Sequence, residues 1–348
     1  MRWIQIRRNG TKHAAEKGIV LTGISDLIND DHFVAIRAVG DSRLFLKIEG
    51  LNPAGSIKMK TALGMIRDLE RREMIRTDSI LIESSSGSLG VALSIICAER
   101  GYRFVCVVDP NTSKQNIRIM EALSTQVICV DRRDQNGGFL GTRIAHIKDL
   151  LACDRRYLWL NQYANPENPG AHARTTAPAI LRRFEHVDYL FIGAGTTGTL
   201  MGCVQFFSRH SPHTRIVAVD SIGSVTFGHP AGPRHIPGIG TSRRPEIFAA
   251  DGLYATEMVA EADTVAMCRH LARSNGILAG GSTGTVLCAV QAWRARIAPE
   301  ATVVAISPDF GERYLDTIYN DDWVRARFHK IPVLAGCGEP AATPVPAA

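Results

Sequence analysis

Lys58 stands in Leu51-Asn52-Pro53-Ala54-Gly55-Ser56-Ile57-Lys58-Met59-Lys60, where its spacing gives it the chemistry of a nucleophile. Asn52-Pro53 and Gly55 read as a loop, and the apolar spacing Leu63, Ile66, Leu69 reads as one face of a following helix. Lys58 therefore falls in the first helical turn. There the macrodipole disfavours a cation, which lowers the amine's pKa and suits it to Schiff-base chemistry. Taken alone, Lys58 is one of 40 basic residues, most of which belong to solvated surface.

Three later stretches add a second kind of chemistry. Glu83-Ser84-Ser85-Ser86-Gly87-Ser88-Leu89-Gly90 follows the apolar run Ser79 to Ile82. Gly193-Ala194-Gly195-Thr196-Thr197-Gly198-Thr199 follows Tyr189 to Ile192. Gly280-Gly281-Ser282-Thr283-Gly284-Thr285 opens a third helix. Such turns aim backbone N–H groups and a positive helix end at an anion.

Two of these turns admit other readings. Gly193 to Gly198 is also a G-x-G-x-x-G, with Asp220 near the ribose position of a nicotinamide dehydrogenase. That reading leaves the Lys58 loop and the Ser84 to Gly90 turn unexplained. Gly280 to Gly284 matches a G-x-S-x-G elbow, with Asp309 and His329 following in hydrolase order. Only the short run Ile277-Leu278-Ala279 precedes it, and no oxyanion-type His-Gly-Gly stretch lies upstream.

From about Arg43 to Trp323 the chain resembles the cysteine synthase and cystathionine β-synthase family of pyridoxal phosphate enzymes. More narrowly it is similar to a branch that condenses O-phosphoserine with L-glutamate, toward 2,3-diaminopropionate for siderophores or peptide natural products. The stretches that carry this are Glu83 to Gly87, Asn161-Gln162-Tyr163-Ala164-Asn165, Ser224-Val225-Thr226-Phe227-Gly228, Gly281 to Gly284 and Pro308-Asp309-Phe310-Gly311-Glu312-Arg313-Tyr314-Leu315. The resemblance implies fold type II, tryptophan synthase β-like: two parallel-sheet α/β domains with pyridoxal 5′-phosphate between them on Lys58.

It further implies cofactor contacts from Ser88, Gly195, Thr196, Thr197, Gly198, Thr199 and Ser282, the last toward the pyridine nitrogen. Substrate contacts would come from Ser85, Ser86, Gly87, Gln162, Tyr163 and Gly238. The implied reaction is β-replacement: Lys58 takes the α-proton, phosphate leaves, and the glutamate amine adds at the β-carbon. Cysteine synthase chemistry, with sulfide as nucleophile and O-acetylserine or O-phosphoserine as donor, is the alternative within the class. A homodimer follows from the resemblance alone. Two positions depart from the family pattern: Ser88 stands where asparagine is usual, and Met59-Lys60 where Asp-Arg is usual.

Guanidinium groups offer paired donors to a carboxylate or phosphate, so Arg118, Arg132, Arg143 and Arg243 are candidates for substrate, with Arg132 and Arg243 leading. His172 reads as a hydrogen-bonded structural histidine.

At 348 residues two domains sharing a cleft are expected, 1–157 and 158–334, with 335–348 a flexible tail. Net charge is +6 without a lysine or arginine block, which speaks against nucleic acid and suits small acidic substrates. The eight cysteines show no ligand spacing, so no metal site is expected; they read as buried free thiols of a cytoplasmic protein. No apolar run reaches membrane length.

Strands are expected at Phe33 to Arg37, Arg43 to Ile48, Ser79 to Ile82, Phe104 to Val108, Val127 to Val130, Tyr189 to Ile192, Ile216 to Val219, Glu257 to Val259 and Val303 to Ile306. Trp159 to Asn168 reads as a polar crossing between domains. Residues 221–244 form a long loop.

Overall fold

The computed structural model describes residues 20–36, 43–135 and 137–334. Two sheets organise them. The four-stranded sheet runs β5 (Gln126–Cys129), β4 (Arg103–Val108), β3 (Ile80–Ser84), β6 (Tyr157–Trp159), all parallel. The six-stranded sheet runs β1 (Phe33–Ile36), β2 (Arg43–Ile48), β10 (Thr302–Ser307), β7 (Tyr189–Gly193), β8 (Arg215–Ser221), β9 (Ala255–Val259). Its pairings are parallel except for β1 with β2, which a short connection joins antiparallel.

Between the strands lie α1 (Lys58–Arg71), α2 (Ser88–Arg100), α3 (Lys114–Ala122), α4 (Leu140–Cys153), α5 (Glu167–Arg174), α6 (Thr176–Arg183), α7 (Gly198–His210), α8 (Glu261–Asn275), α9 (Gly281–Trp293) and α10 (Asp321–Phe328). Continuously apolar strands such as Phe104 to Val108 are buried along their length, as a sheet covered on both faces requires. One core packs α1 and α2 onto β3 and β4, through Met59, Ile66, Leu81, Leu93 and Cys106. Two more cover the opposite faces of the larger sheet.

The strands do not part at residue 157. Parallel pairing joins segments distant in sequence: β1 and β2, before Lys58, belong to the larger sheet through β10, and β6 adds to β3. β6 ends at Trp159, where the sequence shows a polar crossing beginning, and it is not expected from the sequence because three residues are too short to display a period. Expected strand residue Arg37 and the tail 335–348 lie outside the described residues.

Cys97, Cys106, Cys203 and Cys268 are buried, and burial pushes each thiol up to about 12. Cys129 and Cys153 are exposed instead, at the end of an edge strand and of a surface helix. Cys288 is half-buried, and Cys337 lies outside the described residues.

Candidate active site

The Lys58 loop follows β2 and is sewn to the end of β10. Ile57 N donates to Pro308 O at 2.8 Å, Ser56 forms an isolated bridge with Asp309, and Gly280 N donates to Asp309 O at 3.2 Å. The Asn52 amide closes the loop by donating to the carbonyls of Glu49 and Ser56 at 2.8 and 2.9 Å. Lys58 is thereby held at the first position of α1.

A cleft of about 410 Å³, counting its open mouth, brings Lys58 together with Gly195, Thr196, Thr197, Gly198, Thr199, Gly238 and Ser282. Burial lowers the Lys58 pKa, and the charge of Asp309 opposes that shift. Among the described residues Lys58 has no hydrogen-bond or ion-pair partner. Lys60, by contrast, is buried and ion-paired with Glu49 at 2.5 Å and with Asp30. Of two lysines a helical half-turn apart, one fills a buried ion cluster and the other faces the cleft.

The opposite wall is the turn between β7 and α7. Thr197 caps α7 with a left-handed backbone, φ 63°, uncommon for a β-branched residue and the kind of strain that collects at binding sites. Its Oγ1 is buried without a partner. Gly198 must be glycine, since a Cβ there would stand 1.9 Å from Asn168 Oδ1. Buried hydroxyls with the first amides of a helix suit a phosphate monoester. On the third side Ser282 opens α9, and Gly238 lies against it at φ +98°, where a Cβ would come 3.0 Å from Ser282 Oγ.

The turn from Ser85 to Ser88 lies beside this cleft and is not part of its lining. Ser85 Oγ accepts from Gly90 N at 3.0 Å and Gly87 N at 3.4 Å, which shapes the start of α2. The N–H groups of Ser88 and Leu89 are first-turn groups with no intrahelical acceptor, available to a carboxylate. Gln162 donates its side-chain amide to Ser84 O at 3.1 Å, so it buttresses that turn.

The arginines sort by burial. Arg118 and Arg132 are exposed, so the structure does not bring Arg132 to the site. Arg243 is half-buried, packs over the Tyr163 ring at 5.6 Å and pairs with Glu246. Arg143, on α4, is buried beside Tyr163 and Asp109; its Nη1 is 3.4 Å from Asp109 Oδ2, yet its Nε and Nη1 have no hydrogen-bond acceptor.

Two residues of the Pro308 to Leu315 stretch belong beside the site, though in the sequence Asp309 has a place only in the hydrolase reading and Arg313 has no role. Asp309 is buried, accepts from Tyr314 OH at 2.7 Å, keeps Oδ1 unpartnered and is pushed up to about 6 by burial. Arg313 reaches Ser88 Oγ and Ala54 O. The competing constellations do not assemble: Asp220 is fully buried against the Ser221 amide at 2.7 Å, and His329 is absent from the lining around Ser282.

A family model described as pyridoxal-phosphate dependent enzyme matches residues 31–309. The chain is 39% identical over 310 residues to an N-(2-amino-2-carboxyethyl)-L-glutamate synthase from Ralstonia nicotianae, covering 88% of this chain and 92% of that one. It is 37% identical over 313 residues to the enzyme of that name from Cupriavidus metallidurans, with the same coverage. The crystal structure of a hydrogen sulfide-producing enzyme from Fusobacterium nucleatum superposes with a TM-score of 0.80 at 30% identity, covering 86% of this chain and 99% of that one.

Proposed function

The chain belongs to the pyridoxal-phosphate dependent enzymes, and on that premise we propose that it replaces the phosphate of O-phospho-L-serine with the amine of L-glutamate. The products are N-(2-amino-2-carboxyethyl)-L-glutamate and phosphate. The unpartnered Thr197 hydroxyl and the free Lys58 amine on facing walls of one cleft fit the cofactor. The observation that carries the choice of donor is Arg143, a buried guanidinium beside Tyr163 that is ion-paired with Asp109 through Nη1 but whose Nε and Nη1 lack a hydrogen-bond acceptor. Such a group suits a dianionic ester far better than a neutral acetyl ester. The two named synthases support the same choice.

When bound, pyridoxal phosphate supplies an electron sink beside the substrate α-carbon. Lys58 would hold its aldehyde, and Thr196, Thr197, Thr199 and the α7 N-terminus its phosphate. Ser282 would bond the ring nitrogen; a neutral hydroxyl does not keep that nitrogen protonated, which favours prompt loss of a β-substituent. As a free amine Lys58 Nζ would be kept neutral by burial and so able to accept the α-proton. Asp309 supplies the counter-charge for the ammonium that results. The Ser85 to Ser88 turn orients the substrate carboxylate.

The proposal includes a homodimer, supported by the resemblance, and a cytoplasmic location, supported by the buried reduced thiols. Purified protein should be yellow, with an absorbance that borohydride traps on Lys58. Phosphoserine should change that spectrum, and L-glutamate should restore it with release of the condensed product, detected by mass spectrometry. Faster turnover of O-acetylserine with sulfide would make this a cysteine synthase. A colourless protein retaining nicotinamide would return it to the dehydrogenases.

A further inference from the structure

Behind the threonine turn runs a chain of buried hydrogen bonds that leads back to an ion pair. Lys60 Nζ donates to Asp30, pairs with Glu49 and donates to Thr176 Oγ1 at 3.1 Å, using all three ammonium donors. Thr176 Oγ1 is 3.0 Å from His172 Nδ1. On the other edge of the ring, His172 Nε2 is 3.1 Å from Thr61 Oγ1 and 3.3 Å from Thr199 Oγ1. Thr61 Oγ1 donates to Asn168 Oδ1 at 3.2 Å, and Asn168 Nδ2 donates to Gln162 O at 2.8 Å and Thr196 Oγ1 at 3.1 Å.

The direction of every link follows from its two ends. An ammonium only donates, so Thr176 accepts from Lys60 and has its own proton for His172 Nδ1, which must carry the lone pair. A carbonyl only accepts, so Gln162 O fixes which end of the Asn168 amide is nitrogen. Asn168 Oδ1 then faces Thr61, which gives it the hydroxyl proton. Thr61 has no second proton, so His172 Nε2 is the donor. Both ends of the chain thus arrive independently at one tautomer, protonated on Nε2.

We propose that this relay gives the cofactor cradle its polarity, with Lys60, Thr176, His172, Thr61 and Asn168 acting as positioning residues. Thr196 already accepts from Asn168, and Thr199 faces a nitrogen that has no lone pair. Neither hydroxyl can donate backward. Their protons, with that of the unpartnered Thr197, are left for the anion in the cleft. His172 is fully buried, and desolvation, with the nearby lysines adding to it, holds it neutral, so the polarity persists where a free histidine would titrate.

The inference rests on the cofactor reading above, and its test separates the two. Holoenzyme carrying ¹⁵N-histidine, with the His172 signals assigned by their loss in His172→Gln, should show a neutral ring protonated at Nε2 throughout the range in which free histidine titrates. Thr176→Val removes one of the two constraints on the ring, so it should raise the share of the Nδ1–H form that the Thr61 side alone holds down, move the ³¹P resonance of the bound phosphate and weaken cofactor retention about three- to tenfold. Thr176→Ser should restore all three. Should Thr176→Val fail to fold, Thr61→Val breaks the relay on the other side of the ring and is read by the same ³¹P shift and retention. A wild-type ring protonated at Nδ1 or at both nitrogens would overturn the relay. So would a folded variant whose ³¹P resonance and cofactor retention match the wild type. Protein isolated without pyridoxal phosphate would sink the functional reading instead, leaving the histidine spectrum to judge the relay.

Discussion

Arg313 Nη1 lies 3.3 Å from Ser88 Oγ, although 225 residues separate them in the chain. Its Nη2 donates to Ala54 O at 2.6 Å. One guanidinium therefore ties the loop that presents Lys58 to the first residue of α2. Ser88 stands where the family usually has asparagine, and the arginine occupies its hydroxyl. Arg313→Ala should leave the cofactor bound and visible while kcat/KM falls about tenfold or more, since a hydrogen bond to a charged group is worth about 1.5–3 kcal/mol. Arg313→Lys should recover little, because an ammonium lacks the fork that reaches two acceptors. Steady-state kinetics beside an absorbance spectrum decides this.

Arg143 and Arg132 should behave oppositely. Removing the buried guanidinium in Arg143→Met should raise KM for O-phosphoserine roughly tenfold or more. The same variant should change turnover of O-acetylserine much less. Arg132→Ala should stay within about twofold of wild type, as surface substitutions do. Equal losses on both donors in Arg143→Met would remove the phosphate assignment.

Gly198→Ala places a methyl group 1.9 Å from Asn168 Oδ1. Overpacking of this kind costs about 1–3 kcal/mol. The strain falls on the turn that lines the cleft, so loss of cofactor during dilution should exceed any drop in melting temperature. Equilibrium dialysis and thermal unfolding measure the two separately.

Glu83 gives stability a pH dependence of known sign. Burial raises its pKa to about 7 from 4.5, against the amides of Ser84 and Gln162 that it accepts at 2.9 and 3.3 Å. Between those values the folded chain binds more protons than the unfolded one, so this group's contribution falls as pH rises from about 4.5 to about 7. Urea unfolding of Glu83→Gln across that window should show a flatter profile than wild type. A parallel profile would mean the folded carboxyl titrates normally.

Much of the larger plan is visible in local patterns. Lys58 falls in the first turn of α1, and the turns after β3 and β7 and before α9 lie where glycine and hydroxyl residues follow apolar runs. A strand-turn-helix junction is a short-range object: the residues that shape it are the residues that line it. Three such junctions and one lysine carry the family resemblance that implies the cofactor.

Which long side chains reach those junctions is a different matter. Arg132 and Arg143 look equivalent in the sequence, and only the packing of α4 on the smaller sheet buries one and exposes the other. Lys58 and Lys60 are likewise distinguished by their neighbours, since Asp30 and Glu49 reach Lys60 and not Lys58. The same holds for the sheets, whose pairing of β2 with β10 joins residues some 260 positions apart. Local periodicity and turn chemistry depend on neighbours in the chain, so one dimension of information determined most of the elements and the place of Lys58 at a helix mouth. Burial, ion pairing and the sense of a hydrogen bond depend on atoms brought together from distant segments, and those were decided only when the two sheets closed around the cleft.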